Sequence, residues 1–226
     1  MPLLANHIAV VTGAGSGIGR AIAAGYAREG AHVVALDMNK DSVAATAQQI
    51  LNAGGKADSF VLDVTRRDDC NAVAKHVAEK VGKVTILVNN AGIVGRNGMT
   101  GADAGVISDW ENIISVNLTG VFNVTHAFLP SLRANKGRIV NLGSIQSFLH
   151  LRTPSSPAYT ASKHGVYGFT KALAAELGKD GVRVNAIGPG FIKPEDIVGP
   201  AIFLASDLAG YVTGTIVMAD GGYLTV

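Results

Sequence analysis

The sequence contains a single cysteine, few aromatic residues and few charges. Cys70 is the one cysteine among 226 residues, so no disulfide can form within the chain, which is typical of a protein from a reducing compartment. Aromatic residues make up 6% and charged residues 16% of the chain, with a net charge of +2. Because acids and bases are interspersed, we expect no nucleic-acid partner and no binding to a charged membrane surface.

Long hydrophobic runs are also missing. Residues 1–13 lack a basic start followed by an apolar stretch, so the sequence predicts no signal peptide. No apolar run approaches the ~20 residues of a membrane span. We therefore expect a cytoplasmic protein without a membrane partner, and the candidate residues described below predict no metal site.

Hydrophobic residues are abundant, at 48% of the chain, and there are 28 glycines. Short apolar strands alternate with helical patterns from end to end, without a linker or a repeat. This alternation predicts one α/β domain over residues 1–226, with a doubly wound parallel sheet and helices on both faces. Residues 93–108 are predicted to form a loop, and the helix after them is predicted to run from Trp110 to about Phe128.

A glycine-rich turn follows the first predicted strand, His7–Thr12. The order of strand, glycine turn and helix is typical of a nucleotide site, in which backbone N–H groups at the helix N-terminus hold a pyrophosphate. The alternative is a strand-to-helix turn that is merely tight. The residues of this turn are Gly13, Gly15, Ser16, Gly17, Ile18 and Gly19.

Asp37 ends the second predicted strand, about 20 residues after the glycine turn, where such sites place an acid on the adenosine ribose. A carboxylate there can accept hydrogen bonds from both ribose hydroxyls and repels a 2′-phosphate, so Asp37 favours NAD over NADP. Lys40 could meet a phosphate, but we interpret it as solvated. Asp37 could also cap the next helix, although Asn39 or Asp41 is better placed to do so.

Polar and small residues follow three further strands. Ligands bind such sheets at the carboxyl ends of the strands, so these residues are candidates for ligand contact. Asn117 lies in the middle of a predicted helix, where asparagine is either exposed or placed to hold a water, and the sequence leaves both open. The strand-end candidates are Asp63, Val64, Asn90, Ala91, Gly92, Pro189 and Gly190.

Ser144, Tyr159 and Lys163 form the candidate catalytic group. Tyr159 and Lys163 are four residues apart and share one face of a predicted helix. An ammonium beside a phenol lowers the phenol pKa from its usual ~10, so Tyr159 could act as a base near neutral pH. Ser144 follows the fifth strand and can hydrogen-bond the reacting oxygen. Taken alone, this tyrosine–lysine spacing is more often an ordinary solvated helix face.

Together these segments resemble the short-chain dehydrogenase/reductase family over the whole chain. The resemblance implies a seven-stranded, mostly parallel Rossmann-like sheet, NAD(P)-linked oxidation of an alcohol or reduction of a carbonyl, and a homotetramer. The matching segments are Thr12–Gly19, Asp63-Val64, Asn89–Gly92, Asn117, Ser144, Tyr159–Lys163 and Pro189-Gly190.

The resemblance also implies roles for individual residues. Tyr159 would be the acid/base, Ser144 would hold the substrate oxygen, and Lys163 would hold the nicotinamide ribose and tune Tyr159. Asn117 would anchor a proton-relay water, and Ile192 would contact the nicotinamide amide. Asp63 and Val64 would contact adenine.

The substrate is predicted to be small and neutral. Ser144, Gln146, Tyr159 and Phe191 are expected to contact it. No lysine or arginine clearly points inward, since Arg96 and Arg152 lie on loops, and a mainly apolar pocket with one amide suits a secondary alcohol or ketone such as a polyol, sugar or cyclic alcohol. Further residues expected to line the pocket are Val94, Gly95, Ile145, Phe148, His150 and Leu151.

Two other functions remain open. An NADPH-dependent 3-oxoacyl-carrier-protein reductase resembles the chain in the same motifs, but Asp37 and the lack of a basic residue at Ser16 count against it. A non-catalytic NAD-binding protein is the alternative of another class if the substrate-covering lid described below is truly deleted, although the intact catalytic group counts against it.

One departure from the family pattern follows Lys193. The family has a threonine and then a substrate-covering lid there, whereas Pro194 follows directly in this chain, so about 20–30 residues are expected to be missing. Either the lid is deleted, or a mobile segment was left out of the sequence. The mobility of such lids favours the second interpretation.

Overall fold

The computed structural model describes residues 2–151 and 156–225, and within them the strands form one parallel sheet. The strands are β1 (Ile8–Thr12), β2 (His32–Asp37), β3 (Lys56–Val61), β4 (Ile86–Asn89), β5 (Arg138–Leu142), β6 (Arg183–Pro189) and β7 (Ile216–Ala219). Their order in the sheet is β3-β2-β1-β4-β5-β6-β7, and every strand pair is parallel. The predicted doubly wound, seven-stranded sheet is therefore confirmed.

Helices cover both faces of this sheet. Neighbouring residues of β1 point to opposite faces, so Val11 packs in a cluster with Ile22 and Leu204, while Val10 packs in a second cluster with Phe128. Burial on both sides explains why the strands read as continuous apolar runs. The helices are α1 (Gly17–Arg28), α2 (Lys40–Asn52), α3 (Arg67–Lys80), α4 (Asp103–Ile114), α5 (Gly120–Ala134), α6 (Pro157–Leu177) and α7 (Val198–Ala205).

The helical segment after β4 differs from the prediction. It begins at Asp103, inside the predicted loop, and continues to Ala134, with a π-helical turn at Ser115–Thr119 between α4 and α5. The acidic Asp103 stabilises the helix N-terminus, and α4 packs against α6. Tertiary packing therefore makes helical a stretch whose glycine and polar content is typical of a loop.

This helical segment is also long and apolar enough, by length and composition alone, to cross a membrane. No apolar run of that length was expected from the sequence. Val124, Phe128 and Leu132 are almost completely buried in the core cluster beneath the sheet. Packing in the core accounts for part of the apolar composition of the segment, since 44% of its most apolar window is buried.

The connection after β6 is short. Lys193 leads directly into a 3₁₀ turn, Pro194–Ile197, and α7 follows at once. The Lys193 N–H donates to the Asp196 carboxylate at 2.9 Å, and the Asp196 N–H donates back to the Lys193 carbonyl at 3.0 Å. Residues 189–198 are all described, and no lid helix stands between β6 and this turn.

Candidate active site

A cleft of about 630 Å³ opens at the carboxyl edge of the sheet. It brings together sixteen of the residues predicted from sequence to bind the cofactor or catalyse the reaction. Gly15, Gly19 and Asn117, also predicted, do not line it. The predicted residues along the cleft are Gly13, Ser16, Gly17, Ile18, Asp37, Asp63, Val64, Asn90, Ala91, Gly92, Ser144, Tyr159, Lys163, Pro189, Gly190 and Ile192.

The glycine turn has the shape that a pyrophosphate requires. Gly13 and Gly17 have φ values of 63° and 50°, which favour glycine because it has no Cβ. A Cβ on Gly17 would meet nothing within 4 Å, so the turn is open there, and the N-cap Ser16 makes no side-chain capping bond. The uncapped N–H groups at the start of α1 therefore fit an anionic group such as a dinucleotide pyrophosphate.

Asp37 connects the glycine turn to the edge of the cleft. One carboxylate oxygen accepts from the Gly15 N–H at 2.9 Å and the other from the Asn39 N–H at 2.9 Å. Each oxygen retains a further lone pair for a ligand hydroxyl. Asn39 is the N-cap of α2, since its side chain accepts from the Ser42 N–H at 2.9 Å. Asp37 therefore does not serve as that cap.

Asn90 and Asp63 are tied to the protein around them. The Asn90 amide donates to the Thr12 carbonyl at 2.9 Å and the Gly13 carbonyl at 3.2 Å, which joins the ends of β4 and β1. One Asp63 oxygen accepts from the N–H and the hydroxyl of Thr65, at 2.9 and 2.7 Å. Both residues thus shape the wall of the cleft through the backbone that they fix.

Ser144 and Tyr159 meet at the inner end of the cleft. Ser144 is 7% exposed and begins a short turn, in which its hydroxyl oxygen accepts from the Gln146 N–H at 3.1 Å. The Ser144 side chain also lies beside the Tyr159 phenol, where it favours the ionised form. Ser147 donates to the Lys163 carbonyl at 2.9 Å. This bond ties the turn after β5, which carries Ser144, to the helix α6, which carries Tyr159.

Burial dominates the acid–base properties of this group. It raises the pKa of Tyr159, and the hydrogen bond from Ser144 opposes that change. Burial also lowers the pKa of Lys163 to about 8. The prediction that Lys163 brings the Tyr159 pKa below its usual value is therefore wrong for this structure, because desolvation of the phenolate outweighs the favourable contacts.

Asn117 lies in the π-helical turn, where its side chain is 1% exposed. Its oxygen accepts from the Ile93 N–H at 2.8 Å, and its amide donates to the Ile93 carbonyl at 2.9 Å and to Ser162 at 3.2 Å. Of the two readings left open by the sequence, exposure is excluded. Asn117 holds the strand-end loop against α6, and its role in a proton relay stays a prediction.

A second cavity of about 260 Å³ adjoins the first, and Val94, Ser144, Tyr159, Pro189 and Gly190 line both. Two residues predicted for the pocket lie outside it: the Phe148 ring packs on Tyr167 with 5.3 Å between ring centres, and His150 Nδ1 lies 2.7 Å from Thr160 Oγ1. Those two predictions are wrong. The remaining lining residues are Gly95, Arg96, Ile145, Gln146, Leu151 and Phe191.

Arg96 is the basic residue that the sequence analysis left undecided, and it lines this second cavity. Arg152 lies outside the described residues.

Sequence reasoning also missed several apolar residues along the larger cleft. Most of them sit at or just after strand ends, which is a usable signal, whereas Val116 is placed there by the π-helical turn. These residues are Leu36, Met38, Leu62, Ile93, Val116, Leu142, Gly143 and Pro194.

The sequence pattern of the family described as short chain dehydrogenase matches residues 7–199. The 3-oxoacyl-(acyl-carrier-protein) reductase of Thermotoga maritima is 37% identical, over 97% of this chain and 98% of the relative. That alignment spans 250 positions. The aligned 97% of this chain's 226 residues is about 219 residues. About 31 positions of the alignment (250 − 219) therefore have no residue of this chain opposite the relative. The D-threitol dehydrogenase of Mycolicibacterium smegmatis is 36% identical, over 97% of this chain and 94% of the relative.

Among solved structures, a gluconate 5-dehydrogenase from Burkholderia cenocepacia in complex with NADP and tartrate has the same fold. It superposes with a TM-score of 0.92 at 31% identity, covering 99% of this chain and 97% of the other. These proteins are similar to the chain over nearly its full length, although their named substrates differ from one another.

Proposed function

Because the chain belongs to the short-chain dehydrogenase/reductase family and is an oxidoreductase, we propose that it transfers a hydride between NAD and a small neutral secondary alcohol or its ketone. The observation that carries this proposal is that Ser144 and Tyr159 line both the large cleft and the adjoining pocket. A substrate oxygen in the pocket can therefore reach the phenol while its carbon faces the cleft.

In this proposal Tyr159 is the acid/base. Its raised pKa keeps the phenol protonated at neutral pH, ready to donate to the oxygen of a ketone. In the oxidation direction the phenol must first lose its proton, which alkaline pH favours. Ser144 positions the substrate oxygen by a hydrogen bond, and Asn117 fixes the Ile93 backbone beside the cleft.

A bound nicotinamide supplies the hydride acceptor or donor. The glycine turn and the start of α1 would hold its pyrophosphate, and Lys163 would hold the nicotinamide ribose. Asp37 supports NAD over NADP, because a second negative charge next to this carboxylate is unfavourable. The Burkholderia cenocepacia structure contains NADP, so activity must be measured with both NAD and NADP.

The pocket supports a small substrate, since its volume is about 260 Å³ and most lining side chains are apolar. The D-threitol dehydrogenase relative makes polyols a reasonable first group to test. A second candidate function is reduction of a 3-oxoacyl-carrier-protein. It is favoured by the name of the Thermotoga maritima relative and by Arg96 in the pocket, whose cation could bind a phosphate of the carrier.

The experiment is a spectrophotometric assay with NAD and NADP against polyols, sugars, cyclic secondary alcohols, a sugar acid and a 3-oxoacyl thioester. We expect the highest kcat/KM with NAD and a neutral substrate. A thioester that exceeds every neutral ketone by more than about tenfold would replace this proposal with the reductase. A protein that binds NADH but turns over nothing in the panel would support the non-catalytic alternative.

We also propose a homotetramer and a reducing, cytoplasmic environment. Exposed apolar side chains on α4 and α5, namely Ile107, Trp110 and Phe122, offer a surface for burial against another copy. Cys70 is a buried free thiol, which suits a reducing compartment. Light scattering at micromolar concentration tests the tetramer, and a monomer would contradict it.

A further inference from the structure

The segment Val94–Asn97, here called the pocket loop, forms one wall of the substrate pocket. Val94, Gly95 and Arg96 line the cavity opposite the Ser144 turn. The loop has no helix or strand of its own, so its shape depends on contacts with other elements. Two such contacts converge on it, one from α4 and one from the start of α6.

Asp109 provides the contact from α4. One of its carboxylate oxygens accepts from the Asn97 N–H at 3.0 Å. A Cβ on Gly95 would overlap this carboxylate and would lie 2.6 Å from Ile113 Cδ1, so the loop backbone rests directly on α4. Hydrogen bonds from the Asn97 and Arg96 backbone and from the Ser156 side chain hold the pKa of Asp109 below its usual value.

Ser156 provides the contact from α6. Its N–H donates to the Gly95 carbonyl at 3.0 Å, and its own carbonyl accepts from the Tyr159 N–H at 3.0 Å. The Ser156 side chain is the N-cap of α6, accepting from the Ala158 N–H at 3.3 Å. Ser156 is 2% exposed, so one buried residue joins the pocket loop to the first turn of the helix that carries Tyr159.

We infer that Asp109 is a positioning residue for substrate, which fixes the pocket loop relative to Tyr159 through Asn97, Gly95 and Ser156. Asp109 lines neither cavity and takes no part in the chemistry. Its removal frees the wall that the substrate contacts. Of the pocket loop only Val94 also lines the cofactor cleft, and the glycine turn, Asp37 and Lys163 on that cleft lie on other elements. The inference rests on the proposed function, since it requires an alcohol or ketone bound between the pocket loop and Tyr159.

The kinetic test compares Asp109→Ala with Asp103→Asn, an exposed acid in the first turn of the same helix. We expect Asp109→Ala to raise the KM for substrate about tenfold or more, with kcat changed less than about threefold and the dissociation constant for NADH unchanged. Asp109→Asn retains one acceptor oxygen and should fall between the wild type and Asp109→Ala. Asp103→Asn should match the wild type.

A second variant distinguishes positioning from general destabilisation. Gly95→Ala pushes the loop away from α4 without removing the carboxylate, and it should reproduce the rise in KM. The double variant should be less than additive, because either change alone already separates the loop from Asp109. Equal losses in substrate KM, kcat and NADH affinity, or additive effects of the two substitutions, would overturn the inference.

Hydrogen exchange tests the inference without any turnover. Asp109→Ala should speed amide exchange in residues 93–97 and 156–160, and exchange in the glycine turn, residues 13–19, should stay unchanged. Unchanged exchange at 93–97 would overturn the inference even if KM rises. A wild-type protein inactive on the whole panel would reject the proposed function alone, and faster exchange confined to 93–97 and 156–160 would still support Asp109 as the residue that positions the loop.

Discussion

The Nζ of Lys163 lies 5.6 Å from the centre of the Tyr159 ring and donates to the Leu142 carbonyl at 2.7 Å. Leu142 ends β5, two residues before Ser144, so this bond ties the helix of Tyr159 to the strand that delivers Ser144. Lys163 is 6% exposed, and its burial lowers its pKa to about 8. Lys163 therefore holds the helix of Tyr159 against the strand before Ser144, in addition to supplying a charge.

We expect Tyr159→Phe to abolish turnover while NADH still binds. The substitution removes the phenol oxygen that carries the proton and keeps the ring. Loss of a general acid/base costs about 10²–10⁴ in rate, so kcat should fall by at least about 100-fold. Steady-state rates and NADH fluorescence titration measure the two properties. Activity within about tenfold of the wild type would contradict the role of Tyr159. The matched control is Tyr167→Phe, a tyrosine of the same helix that lines neither cavity.

The rate of alcohol oxidation should rise with pH. A base must be unprotonated to act, and burial raises the pKa of Tyr159, so the active fraction of free enzyme increases into the alkaline range. Ketone reduction needs the protonated phenol and should not show this rise near neutral pH. Profiles of kcat/KM from pH 6 to 10 in both directions check the prediction, which a flat oxidation profile would contradict.

Lys163 should also make protein stability depend on pH. Its pKa is about 8 when folded, against a usual value of 10.5, so between these values the unfolded chain holds a proton that the folded chain lacks. Stability contributed by this residue therefore increases as pH rises from about 8 towards 10.5, with a slope no steeper than ~1.4 kcal/mol per pH unit. Urea unfolding of the wild type and of Lys163→Met across this range isolates the effect. The difference between them should grow in favour of the wild type, and parallel curves would contradict the prediction.

Asp37→Ala should weaken NAD binding and narrow the preference for NAD over NADP. The change removes the carboxylate beside the cleft and leaves the Gly15 and Asn39 N–H groups without their acceptor. Ratios of kcat/KM for the two cofactors report the preference. Asp41→Asn, on the exposed first turn of α2, is the control and should keep the wild-type ratio. Equal use of both cofactors by the wild type would show that Asp37 does not discriminate.

Asn117→Ala should lower both stability and activity. The part-buried Ile93 N–H and carbonyl would lose their side-chain partner, and each lost hydrogen bond costs about 0.5–1.5 kcal/mol. Urea unfolding measures the free energy of unfolding, and the turnover rate measures the effect of displacing Ile93 beside the cleft. Asn112→Ala removes an exposed asparagine from the preceding helix and should change neither. A loss of stability without a loss of turnover would show that Asn117 stabilises the fold and does not contribute to catalysis.

The sequence by itself determined the sheet and the positions of its candidate site residues. Strands buried on both faces and helices between them leave a local pattern, because side-chain direction repeats with a fixed period along each element. The rule that ligands meet the carboxyl ends of parallel strands then assembled Asp37, Asn90, Ser144 and Tyr159 at one edge. These relations need only the order of elements along the chain.

Tertiary structure alone decided the acid–base balance and the walls of the pocket. The net change in the pKa of Tyr159 depends on how much water its surroundings exclude, which residue spacing does not reveal. The exclusion of Phe148 from the pocket and the contact between Asp109 and Asn97 depend on how a loop or a turn packs against a neighbouring helix. That packing is set in three dimensions, and a local pattern carries no record of it.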